Sequence, residues 1–315
     1  MPQVSVIVAA YNAAPYIAQA IESVQAQTLH DWEMIIVDDA STDETIAAVE
    51  PYLHDSRIRL IRRTENRGPS AARNCALDAA QGEWIAILDA DDWYDPPRLE
   101  RLLECARQLQ VSLIYDLNRW VDGQTGEVRR LFFSSQLPTP SAPTRLTPEQ
   151  AIYGHLTLKP VIQRQLIESH ALRYQEDIVL GEDFLFQTLA TIAGGGCGVY
   201  PEAYYNYRLH PNSTYVQHYF DLSQPLRMYT HLLSHKAVRS DKQLQAAVRR
   251  DFRRVILAHA YPQFTDALKR CAWKRAWQIY RTVPMVLPEL MRRLPAALRR
   301  RLRGERTTYD WEQFR

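Results

Sequence analysis

Asp89-Ala90-Asp91-Asp92 follows directly on a short apolar run, 84–88. Carboxylates so close together past the end of a strand form an anionic nest. Hard divalent cations such as Mg2+ or Mn2+ take oxygen ligands, and one or two carboxylates plus substrate phosphates complete their shell. A cation held there offsets the charge that builds on a diphosphate leaving group. Asp also suits turns and helix caps, so the spacing alone leaves both readings open. A second pair, Asp38-Asp39, closes the apolar run 34–37. Strand residues alternate, so one of the two faces a ligand crevice. A carboxylate there accepts from a base N–H or a ribose hydroxyl; otherwise it caps the next helix, a task for which Ser41 is already placed.

Arg67, Arg73 and Asn74 lie on the third crossover. Arginine pairs with a diphosphate through two parallel hydrogen bonds. Alternatively, Arg67 is a solvated loop charge and Arg73 an ion-pair partner inside an acidic body. Glu182-Asp183 opens an apolar helix after Gly181. The helix dipole favours an anion there. That is the plain reading; the functional one is a general base, because an alcohol attacks well only as its proton is taken. His210, in Tyr207-Arg208-Leu209-His210-Pro211, is a lone histidine: a metal ligand, or a residue satisfied by its surroundings.

The elements that must carry these groups read as strand–helix alternation. Strands are expected over 4–9, 34–37, 58–61, 84–88 and 112–115. Helices are expected after Pro15, from Ser41 with Glu44 in capping-box spacing, over 71–80, and from Pro96-Pro97 to about 108. This predicts an α/β fold with a mostly parallel sheet and helices on both faces. Ligands bind at the carboxyl ends of such strands, where Tyr11, Asp39, Asp89 and Asp91 collect. Beyond, 120–133 reads as a hairpin, 137–148 as a loop, 182–193 as a helix stopped by three glycines, and 199–208 as a strand. From about 219 the pattern is helical. There are no internal repeats.

The chain has 315 residues, 46% of them hydrophobic, enough for a full core. No run approaches the roughly 18 apolar residues of a membrane span. Met1-Pro2-Gln3 lacks a basic region, so no signal peptide is expected. Four scattered cysteines, with no CxxC pair, fit a reducing cytoplasm. Charge is uneven: 269–306 holds 12 Lys/Arg against 2 Asp/Glu, which leaves the body acidic. There, Leu287, Leu290, Met291, Leu294, Leu298 and Leu302 follow helical spacing beside arginines, after Trp273, Trp277 and Tyr280. This predicts a basic amphipathic tail lying on an anionic membrane, broken by Pro284, Pro288 and Pro295. The competing reading is a helix packed on the body. Nucleic acid fits less well, because the cations sit beside an apolar stripe.

Four motifs in order, VSVIVAAYN, VDDASTDET, NRGPSAARN and GEWIAILDADDW, resemble the inverting family 2 glycosyltransferases of GT-A fold. The resemblance is dense over 3–100 and continues to about 215 through GEDFLF and YRLHPNST. It implies a nucleotide-sugar site formed by Ala9, Tyr11, Asp39, Arg73, Asp89, Ala90 and Asp91. Tyr11 would pack on the base, Asp39 bind base or ribose, Arg73 lie near the donor and Asp89 face the ribose. Asp91, and His210 with it, would ligate Mn2+ or Mg2+. Asp183 would be the catalytic base, with Glu182 beside it. The organisation implied is a GT-A domain over 1–218, with a nucleotide-binding half (1–115) and an acceptor half (116–218), then a helical region over 219–315. The activity implied is inverting transfer from a nucleotide sugar, UDP-sugar favoured, to a glycan or lipid-linked glycan in bacterial surface polysaccharide assembly. The place implied is the cytoplasm, peripheral on the membrane. The chain departs from many members in having Ala9 and Ala10 where they carry proline. It also lacks the QxxRW motif and the spans of processive synthases. Two rivals are weaker. A nucleotidyltransferase needs a glycine-rich phosphate loop where Ala9–Ala14 stand, and a non-catalytic sugar-binding protein need not keep Asp91 and Asp183. No GxGxxG follows the first strand, against a dinucleotide oxidoreductase.

Overall fold

The first strand, β1 (Val4–Ala10), shows why the sheet is covered on both sides. Val4, Val6 and Val8 enter one apolar core and Ile7 the other, so the alternation of a strand is written entirely in buried residues. The computed structural model describes residues 1–134, 136–210 and 221–290.

β1 pairs in parallel with β2 (Trp32–Asp38) and with β4 (Trp84–Asp89), and β2 pairs in parallel with β3 (Ile58–Arg62). Helix α1 (Ile17–Gln25) and α4 (Arg98–Leu109) cover one face. On the other face α3 (Pro69–Ala79) packs with α6 (Arg164–Ser169) and α7 (Glu182–Ala193). Gly82 lies against β1: a Cβ there would stand 2.4 Å from the Ser5 nitrogen.

The second half departs from the expected parallel order. β9 (Val161–Gln163) inserts antiparallel between β4 and β6 (Leu113–Asp122). β6 then runs parallel to β10 (Cys197–Leu209), and short β5 (Trp93–Tyr94) lies antiparallel to β10. The order is β3-β2-β1-β4-β9-β6-β10-β5, a mixed sheet of ten strands. The hairpin read over 120–133 is present as β6 with β7 (Val128–Phe132). The stretch expected as loop contains β8 (Thr144–Leu146), which pairs with β10. Thr147 and Gln150 form a reciprocal capping box that starts α5 (Pro148–Gly154).

One cap differs from expectation. Ser41 does not start a helix: its hydroxyl accepts from the Asn12 N–H at 3.0 Å. α2 (Thr45–Val49) begins later, with Asp43 accepting from the Thr45 N–H at 3.0 Å. Long-range stitching between two loops takes the hydroxyl that local spacing assigns to a cap.

The expected helical C-terminal region comprises α8 (Ser223–Ser234), α9 (Lys236–Ser240), α10 (Lys242–Lys269) and α11 (Trp273–Thr282). It shares a core with the body: Met228, Tyr229 and Val248 pack with Ile152, Phe184 and Leu185. Buried Asp251 of α10 takes hydrogen bonds from His155 and Tyr229. The domain boundary expected at 218/219 falls within 211–220, and the Leu294–Arg303 part of the basic tail beyond 290; both lie outside the described residues.

Candidate active site

The carboxyl ends of β1, β2 and β4 meet at one edge of the parallel half. After β1, Tyr11 is 48% exposed and free to meet a flat ligand. Asn12, at φ +50°, accepts from the Thr42 N–H at 2.9 Å, and Ala13 donates to Thr45 Oγ1 at 2.8 Å. The loops after β1 and β2 therefore hold each other in place. Ala9 is half-buried at the end of β1, in register with Val37 and Asp89.

Asp39 is buried and its oxygens are engaged. They accept from Gly68 N–H at 2.7 Å, Arg67 N–H at 3.1 Å and Arg63 Nη1 at 2.5 Å. It thereby anchors the loop that opens α3. Arg67 pairs with Glu176 at 2.6 Å, both half-exposed. Asn74 exchanges two hydrogen bonds of 2.9 Å with the Tyr174 backbone, so it ties α3 to that loop.

One helical turn into α3, Arg73 reaches the end of β4. Its Nη2 lies 2.8 Å from Asp89 Oδ1, and its Nη1 lies 3.1 Å from both Glu182 and Asp183. Lys159, just before β9, closes the ring: its Nζ is 2.6 Å from Asp89 Oδ2 and 2.5 Å from Asp183 Oδ2. Two cations thus join three carboxylates drawn from β4 and the first turn of α7. Asp183 Oδ1 is buried and accepts no hydrogen bond.

Electrostatics follow from this ring. Burial disfavours the Asp89 anion, yet Lys159 and Arg73 beside it hold its carboxyl well below the usual range. Burial likewise opposes the charges on Lys159 and Arg73, and Asp183 and Asp89 keep both more firmly protonated than usual. Glu182 goes the other way: burial, then the neighbouring Asp183 anion, pushes it up to about 7.

The turn after β4 is a second cluster. One carboxylate oxygen each of Asp89, Asp91 and Asp92 lies within 4.8 Å of the others. Asp92 is buried and takes hydrogen bonds from Tyr205 Oη at 2.7 Å and Arg208 N–H at 2.8 Å. Burial, with Asp91 and Asp89 alongside, raises its carboxyl well above the ordinary range. Asp91 is different. Its side chain is 35% exposed and its Oδ2 lies 2.8 Å from His210 Nε2. Ala90, between them, is buried. With Asp89 and Asp92 engaged by protein donors, Asp91 is the carboxylate of the cluster most open to a cation. Mg2+ and Mn2+ need no more from the protein than this, since phosphates supply the remaining oxygens. The residues present fit such an ion.

Sequence reading placed Arg73 near a donor; the structure also makes it the link between the Asp89 and Asp183 ends. It missed Lys159, whose only signal is a lone cation inside the apolar stretch Leu158–Ile162. It missed Arg98 too. That arginine is wholly buried, pairs with buried Asp116 at 2.8 Å, and donates to the Lys159 carbonyl at 2.5 Å. The Tyr94 and Tyr205 rings, 4.2 and 5.1 Å from its guanidinium, complete its pocket.

Known proteins share this arrangement of sequence and fold. Residues 5–159 match the model of glycosyl transferase family 2. Succinoglycan biosynthesis protein ExoO of Rhizobium meliloti is 37% identical over 219 residues, 68% of this chain and 62% of that one. The chain thus spans less than two thirds of that relative. ExoU, a succinoglycan biosynthesis protein of the same organism, is 30% identical over 299 residues, 91% of this chain and 85% of the relative. Among solved structures, residues 1–349 of S. aureus TarS in complex with UDP superpose at TM-score 0.64, with 20% identity and 92% of each chain covered. That likeness bears on the fold, which is GT-A with added C-terminal helices. By sequence and by fold, this chain belongs to glycosyl transferase family 2.

Proposed function

We propose that the protein transfers a sugar from a nucleoside diphosphate sugar to a hydroxyl acceptor, with inversion, in the assembly of a bacterial surface polysaccharide. The observation that carries this reading is the ion-paired ring that sets Asp183 beside the Asp89–Asp91 turn. The proposed base and the candidate diphosphate site meet through Lys159 and Arg73 at the same end of β4. Family membership supports glycosyl transfer, and the succinoglycan relatives support a polysaccharide product. UDP is the favoured nucleotide, in keeping with the UDP complex of TarS.

In this reading Tyr11 packs on the base, while Asp39 and Ala9 shape its pocket and Asp89 faces the ribose. Asp91 and His210 would hold Mn2+ or Mg2+, and such an ion would neutralise charge on the diphosphate. The acceptor hydroxyl gives its proton to Asp183 as its oxygen bonds to the anomeric carbon. The bond from that carbon to the diphosphate oxygen breaks, and its electron pair leaves with the nucleoside diphosphate. A single displacement from the opposite face inverts the configuration. Glu182, neutral over part of the physiological range, adds little competing negative charge beside the base.

The test is a thermal-shift panel of UDP-, GDP- and dTDP-sugars with and without Mn2+, because a ligand of the native state raises Tm by mass action. One nucleotide class is expected to raise Tm, and more so with Mn2+. Asp183→Asn is expected to keep that shift and lose transfer. No shift with any donor, or transfer by Asp183→Asn at the parental rate, overturns the reading.

For its place in the cell, the acceptor is a glycan or lipid-linked glycan, and the enzyme works at an anionic membrane surface that it meets through α11. No described helix is long and apolar enough to cross a membrane.

A further inference from the structure

Lys159 comes from outside the parallel half, on the segment just before β9. Its backbone is fixed from one side: the Lys159 carbonyl accepts from Arg98, which Asp116 and two tyrosine rings hold in a fully buried pocket. Its side chain is 7% exposed and ends between two carboxylates of different origin, Asp89 at the end of β4 and Asp183 at the start of α7. An ammonium so placed is a point charge with rotatable donors, suited to bridging two anions that share no plane.

We propose that Lys159 is a positioning residue for transfer: it locks the Asp183 carboxylate at a fixed place relative to the Asp89–Asp91 turn. This rests on the reading of Asp183 as the base. Without Lys159, Asp183 keeps among the described residues only the Arg73 ion pair, which it shares with Asp89 and Glu182. A carboxylate held by one cation fewer is free to turn away from the Asp89–Asp91 turn, and a misplaced base does not meet the acceptor proton. The groups that face Asp183 are Lys159, Arg73, Glu182, Asp89 and, on the loop before α7, Tyr174. Of these, Lys159 alone touches both ends of the site through a single atom.

The experiment measures nucleotide release by the full chain from UDP-glucose, UDP-N-acetylglucosamine and GDP-mannose across a pH series, for the parent, Lys159→Met and Asp183→Asn. For Lys159→Met, kcat falls on the order of 100-fold, the effect of a misplaced catalytic group. Donor KM stays within about threefold, because a group that acts in the transition state lowers kcat rather than ground-state binding. A near-parental kcat in Lys159→Met, or a loss that lies in donor KM with kcat kept, overturns the proposal. Should Lys159→Met not fold, Lys159→Ala with added ethylammonium takes its place: kcat that rises and saturates with the amine supports the lock, and kcat indifferent to it overturns the lock. If the parent turns over no donor, or Asp183→Asn matches it, the base assignment itself falls and the lock falls with it. An inert Asp183→Asn beside an active Lys159→Met removes the lock alone.

Discussion

Glu182 stands between opposed influences. Burial and the Asp183 anion press a proton onto it, while Arg73 and Lys159 act against that, and the outcome is a carboxyl pushed up to about 7 from an ordinary 4.5. Between these values the native chain holds a proton that the unfolded chain has released. Stability therefore declines as pH rises through that window and levels off above it. Glutamine in its place has nothing to titrate. Relative to the parent, Glu182→Gln is expected to gain stability steadily from pH 4.5 to about 7. The ceiling is about 3 kcal/mol, from 1.36 kcal/mol per pH unit. Denaturant unfolding of both proteins across that range reads the difference. Curves that stay parallel mean that Glu182 ionises in the native state much as it does in the unfolded chain. In the proposed reaction, a protonated Glu182 would add no further negative charge beside Asp183.

Among the elements, α4 does more than cover the sheet. Its first residue, Arg98, penetrates to Asp116 on β6, and both are wholly buried. Two such charges are tolerable only together, and removing one strands the other. Asp116→Asn is expected to cost roughly 3–5 kcal/mol, a fall in Tm of about 10 °C for a chain of this size. Adding Arg98→Met to it should return much of the loss, since the stranded cation is gone. A double variant no more stable than Asp116→Asn contradicts this account. The pair also marks what a sequence discloses. The parallel strands β1, β2 and β4 are legible because burial on both faces writes nearly continuous apolar runs, and the acidic ends of β2 and β4 stand out against them. α7 is legible from its glycine boundaries, and the cap of α5 from Thr147-Pro148-Glu149-Gln150. Lys159 and Arg98 bind partners on distant elements, so little that is local distinguishes them from surface cations, whereas Arg73 stands out through the motif NRGPSAARN. β9 is hidden for a related reason: three residues are too few for a periodicity, and their antiparallel place follows from the gap between β4 and β6. Ser41 misleads because a spacing that suits a cap also suits a bond to Asn12.

At the scale of the whole molecule, the ring of ion pairs around Lys159 and the helix α11 belong to one connected body. α10 leaves Asp251 under the hydrogen bonds of His155 and Tyr229 and continues to Lys269, and α11 folds back on it through Ala276 and Ile279. The other side of α11 presents Trp273 and Trp277, 66% and 61% exposed and one helical turn apart. Lys274, Arg275 and Arg281 share the helix, and no acidic residue lies between Asp266 and Glu289. Exposed indoles flanked by cations suit the headgroup layer of an anionic bilayer, where the ring is half-solvated and each basic residue adds about 1 kcal/mol. A second copy of this chain would meet the same positive charge and gain nothing from it. The full chain is therefore expected to float with phosphatidylglycerol vesicles at low salt, to stay behind with phosphatidylcholine, and to dissociate at high salt as screening shortens the reach of its charges. Tryptophan emission should shift to the blue on binding. Trp273→Ser with Trp277→Ser should weaken binding and leave the nucleotide-dependent rise in Tm unchanged, because neither ring belongs to the cleft. Vesicles ignored at low salt, or bound equally by the double variant, would show that α11 is not the face that meets a membrane. Binding that needs both indoles would place the acceptor on the lipid side of the reaction, with a lipid-linked glycan delivered along the surface to Asp183.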